Sequence, residues 1–208
     1  MSQRKISMAV IRRLPRYYKY LGELLNNGVT KISSQDLSDT MQVTASQIRQ
    51  DLNNFGGFGQ QGYGYNVEYL YNEIGKILGQ DQLHNMILIG AGNLGQALAN
   101  YTSFGRQGFH LIGIFDINPK LVGLKMRGIE VLDIDNLEQF IKENSVDIAI
   151  LATPKAGAKD MAQNLSDWGV KGLWNFTPED LFINGDMEIE NVHLFHSLMT
   201  LAYQIHND

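Results

Sequence analysis

The segment MILIGAGNLGQALANY constrains the fold of this chain more than any other. Four apolar residues, Met86 to Ile89, form a short strand pattern that runs directly into Gly90, Gly92 and Gly95, and a helix-forming segment follows. A Gly-x-Gly-x-x-Gly turn between a strand and a helix lets the backbone approach a pyrophosphate at the helix N-terminus. The spacing alone is weak evidence, but its context predicts a dinucleotide-binding turn.

A second apolar strand, LIGIF, ends in Asp116, which lies 26 residues after Gly90 (116 − 90). An acidic side chain at this place accepts hydrogen bonds from the adenosine ribose and disfavours a 2′-phosphate. Ile117 and Asn118 follow, so no arginine reverses that preference. We therefore expect NAD(H) rather than NADP(H), and Asp116 also speaks against coenzyme A. The alternative for Asp116 is an acid in a surface turn.

Three more strand patterns, GIEVL, DIAILAT and GLWNF, alternate with the helical segments NLEQFIKEN and AGAKDMAQNLSDWG. This alternation predicts a doubly wound parallel sheet of the Rossmann type. The loop Thr153-Pro154-Lys155 lies at the carboxyl end of the DIAILAT strand, where such sheets bind ligands. Thr153 is equally well placed as a helix cap.

The first 80 residues predict short helices and a tight turn. Pro15 should make the first helix restart or kink. Ser33 or Ser34 can cap the next helix, and Thr44 with Gln47 has the form of a capping box for the helix after it. Two short helices joined by such a turn describe a helix-turn-helix.

The second helix of this pair turns Ile48, Leu52 and Phe55 inward. Its other face consists of amide, hydroxyl and guanidinium side chains: Ser46, Gln47, Arg49, Gln50, Asn53 and Asn54. These groups hydrogen-bond base edges, whereas an ordinary solvated helix usually has Glu and Lys. The pattern predicts DNA binding; the alternative is a helical hairpin with a polar face.

The charge of the chain is divided unevenly. The net charge of −5 is the sum of +3 in residues 1–80 (nine basic, six acidic) and −8 in residues 81–208 (eight basic, sixteen acidic). The basic part is the candidate for an anionic partner, although the excess is only a hint.

The stretch FGGFGQQGYGY, residues 55–65, follows the second helix directly. Its glycines allow the positive φ and tight turns of a small hairpin, and its aromatic residues can pack at the root. A phosphate loop would lie between a strand and a helix instead. We predict a wing with Gln60-Gln61 at its tip, whose uncharged amides attract phosphates less than Lys or Arg would.

The composition excludes several classes of protein. The chain has 208 residues, 44% of them hydrophobic, and no cysteine, so it can bury a core but not use thiolate chemistry. No apolar run has the length of a membrane helix and no signal-type segment follows the N-terminus, which predicts a cytoplasmic protein without a membrane partner. We predict no metal site and no catalytic residue.

An NAD-dependent oxidoreductase with an added helical domain is the alternative function. Against it, no tyrosine has a lysine four residues later, and little of the chain is left for a substrate domain that would exclude water. His193 and His196 fit an interface or the surface better than a general acid. These features favour a protein that senses a bound cofactor over an enzyme that oxidises or reduces it.

The segment NVHLFHSLMTLAYQI ends the chain with an amphipathic helix. Leu194, Leu198, Leu201 and Ile205 share one stripe, with Phe195 beside it. Such a helix can cover its own domain or a partner subunit, and the pattern alone does not distinguish them. We favour the partner, because helix-turn-helix proteins usually read two half-sites as dimers.

Taken together, the sequence resembles the Rex family of redox-sensing transcriptional repressors over essentially its whole length. The motifs that carry the resemblance are IRRLPRYYKYL, SSQDLSDTMQVTASQIRQDLNNFGGFG, QGYGYNV, LIGAGNLGQALANY, GIFDINPKLVG, ILATP, GLWNFTP and NVHLFHSL. Their order, with wing and nucleotide motifs in one chain, is highly specific.

The resemblance implies a fold and a function. The fold is α/β with an N-terminal winged helix (residues 1–80), a Rossmann NAD(H)-binding domain (81–190) and a domain-swapped dimerisation helix (191–208). The function is repression by a homodimer that binds an inverted-repeat operator in double-stranded DNA. Release would follow when the ratio of NADH to NAD⁺ rises.

The resemblance also implies roles for individual residues. The pyrophosphate turn would comprise Gly90, Ala91, Gly92, Asn93, Leu94 and Gly95, with Asp116 at the ribose. The nicotinamide end would involve Tyr101, Thr153 and Pro154, and the partner's Leu194 and Phe195. The operator would contact Ser46, Gln47, Arg49 and Gln50 in the major groove and the wing residues Gln60, Gln61 and Gly62.

Two features, the wing tip and His193, depart from the family pattern. The wing tip has glutamines where the family commonly has a basic residue, which puts the wing's share of operator affinity in doubt. His193 stands where family members often have an acidic residue, so a pairing made there with the first helix would differ.

Overall fold

The computed structural model describes residues 6–55, 59–60 and 64–206. The chain divides into two compact units, residues 1–82 and residues 83–208. Each unit has its own apolar core, and each is described by itself.

The first unit is mostly helical. Its elements in chain order are α1 (Met8–Ile11), α2 (Leu14–Asn26), β1 (Lys31–Ile32), α3 (Ser34–Met41), α4 (Ala45–Asn53), β2 (Gly59–Gln60), β3 (Gly64–Asn66) and α5 (Val67–Ile77). Pro15 lies in the first turn of α2, where it needs no hydrogen-bond donor, so the helix restarts there as predicted. The core consists of apolar side chains from all five helices and β3, since Val10, Leu14, Leu37, Ile48, Tyr65 and Leu70 are all buried.

Helices α3 and α4 form the predicted helix-turn-helix. Ser33 caps α3 in a complete capping box with Asp36, and Gln42 ends α3 in the left-handed conformation (φ 54°). Thr44 caps α4 through the backbone N–H of Gln47, but the predicted box is only half formed. The other half is missing because the Gln47 side chain donates to Asp51 instead.

Strands β1, β3 and β2 form an antiparallel sheet in that order. β2 pairs with β3, Gly59 opposite Tyr65 and Gln60 opposite Gly64, which gives the hairpin of a winged helix. Gln60 is the last residue of β2. The predicted wing-tip residues Gln61 and Gly62 lie outside the described residues.

The carboxylate of Asp51 is fully buried in this unit. It accepts hydrogen bonds from Arg13 Nε (2.6 Å) and Nη2 (2.7 Å), from the Tyr17 hydroxyl (2.8 Å) and from Gln47 Nε2 (2.8 Å). Burial alone would raise the pKa of Asp51, but these hydrogen bonds and the Arg13 charge lower it. The ionised group therefore joins α4 to the start of α2.

The second unit alternates strands and helices. Its elements are β4 (His84–Ile89), α6 (Asn93–Ala99), α7 (Ser103–Arg106), β5 (Phe109–Asp116), β6 (Lys125–Met126), β7 (Ile129–Asp133), a 3₁₀ turn (Ile134–Asn136), α8 (Leu137–Glu143), β8 (Ile148–Leu151), α9 (Ala158–Asp167), β9 (Gly172–Asn175), β10 (Glu188–Asn191) and α10 (Leu194–His206).

The strands form one sheet in the order β10-β9-β8-β4-β5-β7-β6. All neighbours are parallel except β6, which pairs antiparallel with β7 at the edge. Numbered along the chain, the six parallel strands have the order 3-2-1-4-5-6, the doubly wound order of dinucleotide-binding folds. β6 and β10 were not predicted. Alternate residues of β4 pack into apolar clusters on opposite faces: Ile87 and Ile89 on one, Met86 and Leu88 on the other.

Helix α10 has no buried residue. Leu194 and Phe195 at its start are 64% and 65% exposed, and Leu198, Leu201 and Ile205 of the predicted stripe are also exposed. Among the described residues of the second unit, none covers the stripe. Among the residues that the structure describes, no helix is long and apolar enough to cross a membrane.

Replacing Asp51 should destabilise the first unit selectively. Asp51→Ala leaves Arg13 and the buried Tyr17 hydroxyl without their acceptor, which costs about 3 kcal/mol of unfolding free energy. Both tryptophans, Trp168 and Trp174, lie in the second unit. Far-UV circular dichroism during urea unfolding should therefore show an earlier transition of the first unit, while tryptophan fluorescence keeps its midpoint.

Tyr17→Phe is the matched control for this measurement. It removes one of the four donors and keeps the ion pair, so its cost should be about 1 kcal/mol. An Asp51→Ala protein that unfolds like the wild type by circular dichroism would contradict the role of the carboxylate.

Candidate functional site

The glycine turn lies between β4 and α6, where two of its glycines are required by close packing. Gly90 has a φ of 97°, and a Cβ there would lie 2.6 Å from the carbonyl oxygen of Ala152. A Cβ at Gly95 would overlap the carbonyl oxygen of Gly90. Because neither glycine has a Cβ, the backbones of β4, α6 and the end of β8 can lie this close together.

Gly92 has the opposite surroundings. A Cβ there would meet no heavy atom within 4 Å, and its φ of −69° is open to any residue. Asn93 and Leu94 follow as the first residues of α6, where backbone N–H groups have no acceptor within the helix. The space beside Gly92 and these N–H groups therefore fits a pyrophosphate.

Asp116 ends β5 and faces the same turn. Its Oδ2 accepts from the backbone N–H of Ala91 at 2.6 Å, and its Oδ1 accepts from the N–H of Asn118 at 2.7 Å. The second contact is that of a turn acid, but the first joins the carboxylate to the glycine turn. Each oxygen retains a further lone pair for a ligand hydroxyl. Asp116 therefore fits an adenosine ribose next to the glycines.

Thr153 and Pro154 follow β8, the strand on the other side of β4. The Thr153 methyl group would lie 3.0 Å from a Cβ at Gly90, so this loop adjoins the glycine turn. Lys155 forms an ion pair of 3.5 Å with Glu179 in the loop after β9. The alternative that Thr153 caps a helix is wrong, because α9 begins at Ala158 with Gly157 as its N-cap.

The other residues predicted at the nicotinamide end do not join this cluster within the chain. Tyr101 follows the far end of α6, a seven-residue helix about 10 Å long, and its ring packs against Phe104. Leu194 and Phe195 are exposed on α10. Just before them, His193 Nε2 lies 2.7 Å from Asp180 Oδ1, and the His193 and His196 rings are 4.5 Å apart.

The polar face of α4 forms a second candidate site. Ser46, Arg49 and Gln50 are exposed and line a shallow depression with Asn53 and Asn54. Arg49 Nη1 donates to the Ser34 hydroxyl at 2.8 Å, which holds the guanidinium beside the start of α3. Gln47 differs from the others, since it is half-buried and donates to Asp51.

The roles of Asp51 and of its donors Arg13 and Tyr17 were not predicted from the sequence. A signal was present, because Asp51 is the one acidic residue of α4 and lies next to the inward-facing Leu52. The partner in α2's N-cap, Arg13, lies 38 residues away, so the pair leaves no local pattern. No group of three potential ligands that could hold a metal ion occurs among the described residues.

Both units match known families. Residues 5–53 match a family described as "Putative DNA-binding protein N-terminus", and residues 81–179 match one described as "CoA binding domain". The first unit is thus similar to the N-terminus of proteins described as putative DNA-binding proteins, and the second is similar to domains described as coenzyme A-binding.

Curated relatives cover nearly the whole chain. "Redox-sensing transcriptional repressor Rex" of Thermoanaerobacter pseudethanolicus is 62% identical over 98% of this chain and 91% of its own. The protein of the same name from Clostridioides difficile is 58% identical over 98% and 97%.

Solved structures agree over both units. A crystal structure of RSP with β-NAD⁺ and operator DNA is 61% identical and has a TM-score of 0.92 over 97% of this chain and 93% of its own. A structure of RSP with β-NADH has a TM-score of 0.91 at 58% identity over 98% and 95%. With this identity over nearly its full length, the chain belongs to the Rex family of redox-sensing transcriptional repressors.

Proposed function

We propose that this protein is an NAD(H)-responsive repressor that binds an inverted-repeat operator as a homodimer and leaves it when the ratio of NADH to NAD⁺ rises. One observation carries the proposal: the same chain contains a glycine turn hydrogen-bonded to Asp116 and a helix-turn-helix whose second helix exposes amide, hydroxyl and guanidinium side chains. Residues 1–80 would bind DNA, residues 81–190 NAD(H), and residues 191–208 the partner subunit. As a regulator of transcription it would act in the cytoplasm.

The cofactor would be held by the glycine turn. Its pyrophosphate would lie at Gly90, Ala91, Gly92, Asn93, Leu94 and Gly95, and its ribose at Asp116. The open space at Gly92 and the Ala91–Asp116 hydrogen bond support this placement. Thr153 and Pro154 would lie toward the nicotinamide, as would Tyr101. The matched "CoA binding domain" family raises coenzyme A as a ligand, but Asp116 disfavours the 3′-phosphorylated ribose of that cofactor.

The operator would be read by α4. Ser46, Arg49 and Gln50 are exposed there, and Gln47 has a free amide edge, so together they offer donors and acceptors to a major groove. The wing would contact the neighbouring phosphates through Gln60, Gln61 and Gly62. The RSP structure with operator DNA supports this assignment by similarity.

The homodimer would be built on α10. Its exposed Leu194, Phe195, Leu198 and Leu201 form an apolar surface that monomeric proteins rarely leave uncovered. Packing this helix against the partner, in a swapped arrangement, would bring Leu194 and Phe195 to the partner's cofactor. The uncharged reduced nicotinamide would pack there better than the cationic oxidised one, so that the two forms bias a two-state dimer differently.

The direct test is operator binding by the full chain with each cofactor form. Fluorescence anisotropy of a labelled palindromic duplex should show binding at least about tenfold weaker with NADH than with NAD⁺. Equal effects of the two forms would contradict the proposal. Turnover of NADH with small carbonyl compounds, without binding of the duplex, would favour the oxidoreductase alternative.

Gly92→Ala should weaken the binding of the cofactor without destabilising the fold. The new methyl group meets no protein atom but enters the proposed pyrophosphate space, so NADH affinity should fall roughly tenfold, which is about 1.4 kcal/mol. Titration of NADH fluorescence measures this. Gly95→Ala is the contrasting variant, since its Cβ overlaps the Gly90 carbonyl and should lower the unfolding midpoint seen by tryptophan fluorescence. Unchanged NADH affinity in Gly92→Ala would place the pyrophosphate elsewhere.

Leu198→Glu should disrupt the dimer, because it places a charge in the middle of the apolar stripe of α10. Sedimentation velocity should show a shift from dimer to monomer at micromolar concentration. Gln204→Glu adds the same charge at an exposed polar position of the same helix and should leave the dimer intact. A dimeric Leu198→Glu protein would show that α10 is not the interface.

A further inference from the structure

The Gln47 side chain is held by a group that can only accept hydrogen bonds. Its Nε2 lies 2.8 Å from Oδ1 of Asp51, whose carboxylate is buried and also accepts from Arg13 and Tyr17. An ionised carboxylate has no proton to donate, so the amide nitrogen of Gln47, and not its oxygen, must face it. The oxygen and nitrogen of a glutamine amide have nearly the same shape, so either can usually occupy a given position. Here the carboxylate of Asp51 determines that the nitrogen faces it.

This orientation decides what Gln47 offers to a ligand. One N–H is used by Asp51, which leaves the carbonyl oxygen and the second N–H free. Gln47 is half-buried and lines one groove with Gln50 of the polar face. One acceptor beside one donor matches the N6 amino group and N7 of adenine. An amide turned the other way would present two donors, which match the O6 and N7 acceptors of guanine.

We propose that Asp51 is a positioning residue for base reading, which fixes the Gln47 amide in the orientation that selects adenine. The inference rests on the proposed function, since it concerns how the same helix reads an operator. Asp51 itself is fully buried, so it would not contact a base. Its influence on sequence preference passes entirely through Gln47.

Asp51→Asn tests the proposal because it removes the fixed orientation. An asparagine amide has one acceptor oxygen, whereas the carboxylate accepts from Gln47 and Arg13 Nη2 at Oδ1 and from Arg13 Nε and Tyr17 at Oδ2. When the asparagine oxygen takes the Oδ2 position, its Nδ2 faces Gln47, and because two amide nitrogens cannot hydrogen-bond each other, Gln47 turns its oxygen inward and both N–H groups outward. When the oxygen takes the Oδ1 position, Gln47 keeps its wild-type orientation. The variant therefore populates both orientations of the Gln47 amide.

The experiment selects preferred duplexes from a randomised library with the full-length protein and NAD⁺. Wild type, Gln47→Ala, Asp51→Asn, the double variant and Tyr17→Phe are compared by sequencing the bound fraction. Gln47→Ala should lose preference at one base pair. At that same base pair, Asp51→Asn should lower the adenine-to-guanine ratio about threefold or more, because both orientations of the Gln47 amide are populated. The double variant should match Gln47→Ala, and Tyr17→Phe, which spares Gln47, should keep the wild-type pattern.

The alternatives give distinct results. A uniform loss of affinity at all positions in Asp51→Asn would overturn the inference and leave Asp51 a structural role only, as would a full set of preferences in Gln47→Ala. A wild-type protein that enriches no duplex would overturn the proposed function itself. If Asp51→Asn does not fold, hydrogen exchange in the wild type decides: the Gln47 amide protons, assigned through Gln47→Ala, should exchange more slowly than those of exposed Gln50, and equal rates would overturn the inference.

Discussion

The buried carboxylate of Asp51 is the contact on which the geometry of the first unit depends. Four donors from Arg13, Tyr17 and Gln47 surround it, and together they balance the cost of removing a charge from water. Because Arg13 precedes α2 while Asp51 lies in α4, the ion pair sets how the second helix of the helix-turn-helix lies against the first long helix. The exposed face of α4 inherits that orientation. The surface proposed to read DNA is therefore oriented by a carboxylate that is itself buried.

The second unit uses a carboxylate differently. Asp116 remains partly exposed and holds the backbone of Ala91, so the acid that would meet a ribose also shapes the turn that would meet a pyrophosphate. The doubly wound topology makes this possible, since β4 has β5 on one side and β8 on the other. The carboxyl ends of these three strands bring the glycine turn, Asp116 and Thr153 together. Gly90 and Gly95 allow the backbones to pack closely there, and the space beside Gly92 remains free for a ligand.

The sequence predicted those features that depend on local spacing. The glycine turn, Asp116 at the end of its strand, the restart at Pro15 and the inward face of α4 follow from patterns within about 30 residues. The features that it did not predict depend on side chains that meet from distant parts of the chain. Gln47 has a normal capping-box spacing from Thr44, but Asp51 competes for its amide. β10 was missed because its alternating pattern EIEN is short and mostly polar, and it forms by pairing with β9. Thr153 was left open between two roles, and only the start of α9 at Ala158 removed the capping role.

If the proposed cofactor site and the proposed DNA-reading helix are coupled through one dimer, that coupling must be reciprocal. The most direct measurement is the dissociation constant of NADH for the full-length protein, with and without a saturating operator duplex. If NADH weakens operator binding by a given factor, the operator should weaken NADH binding by the same factor. An NADH dissociation constant that does not change when the operator is bound would contradict the account.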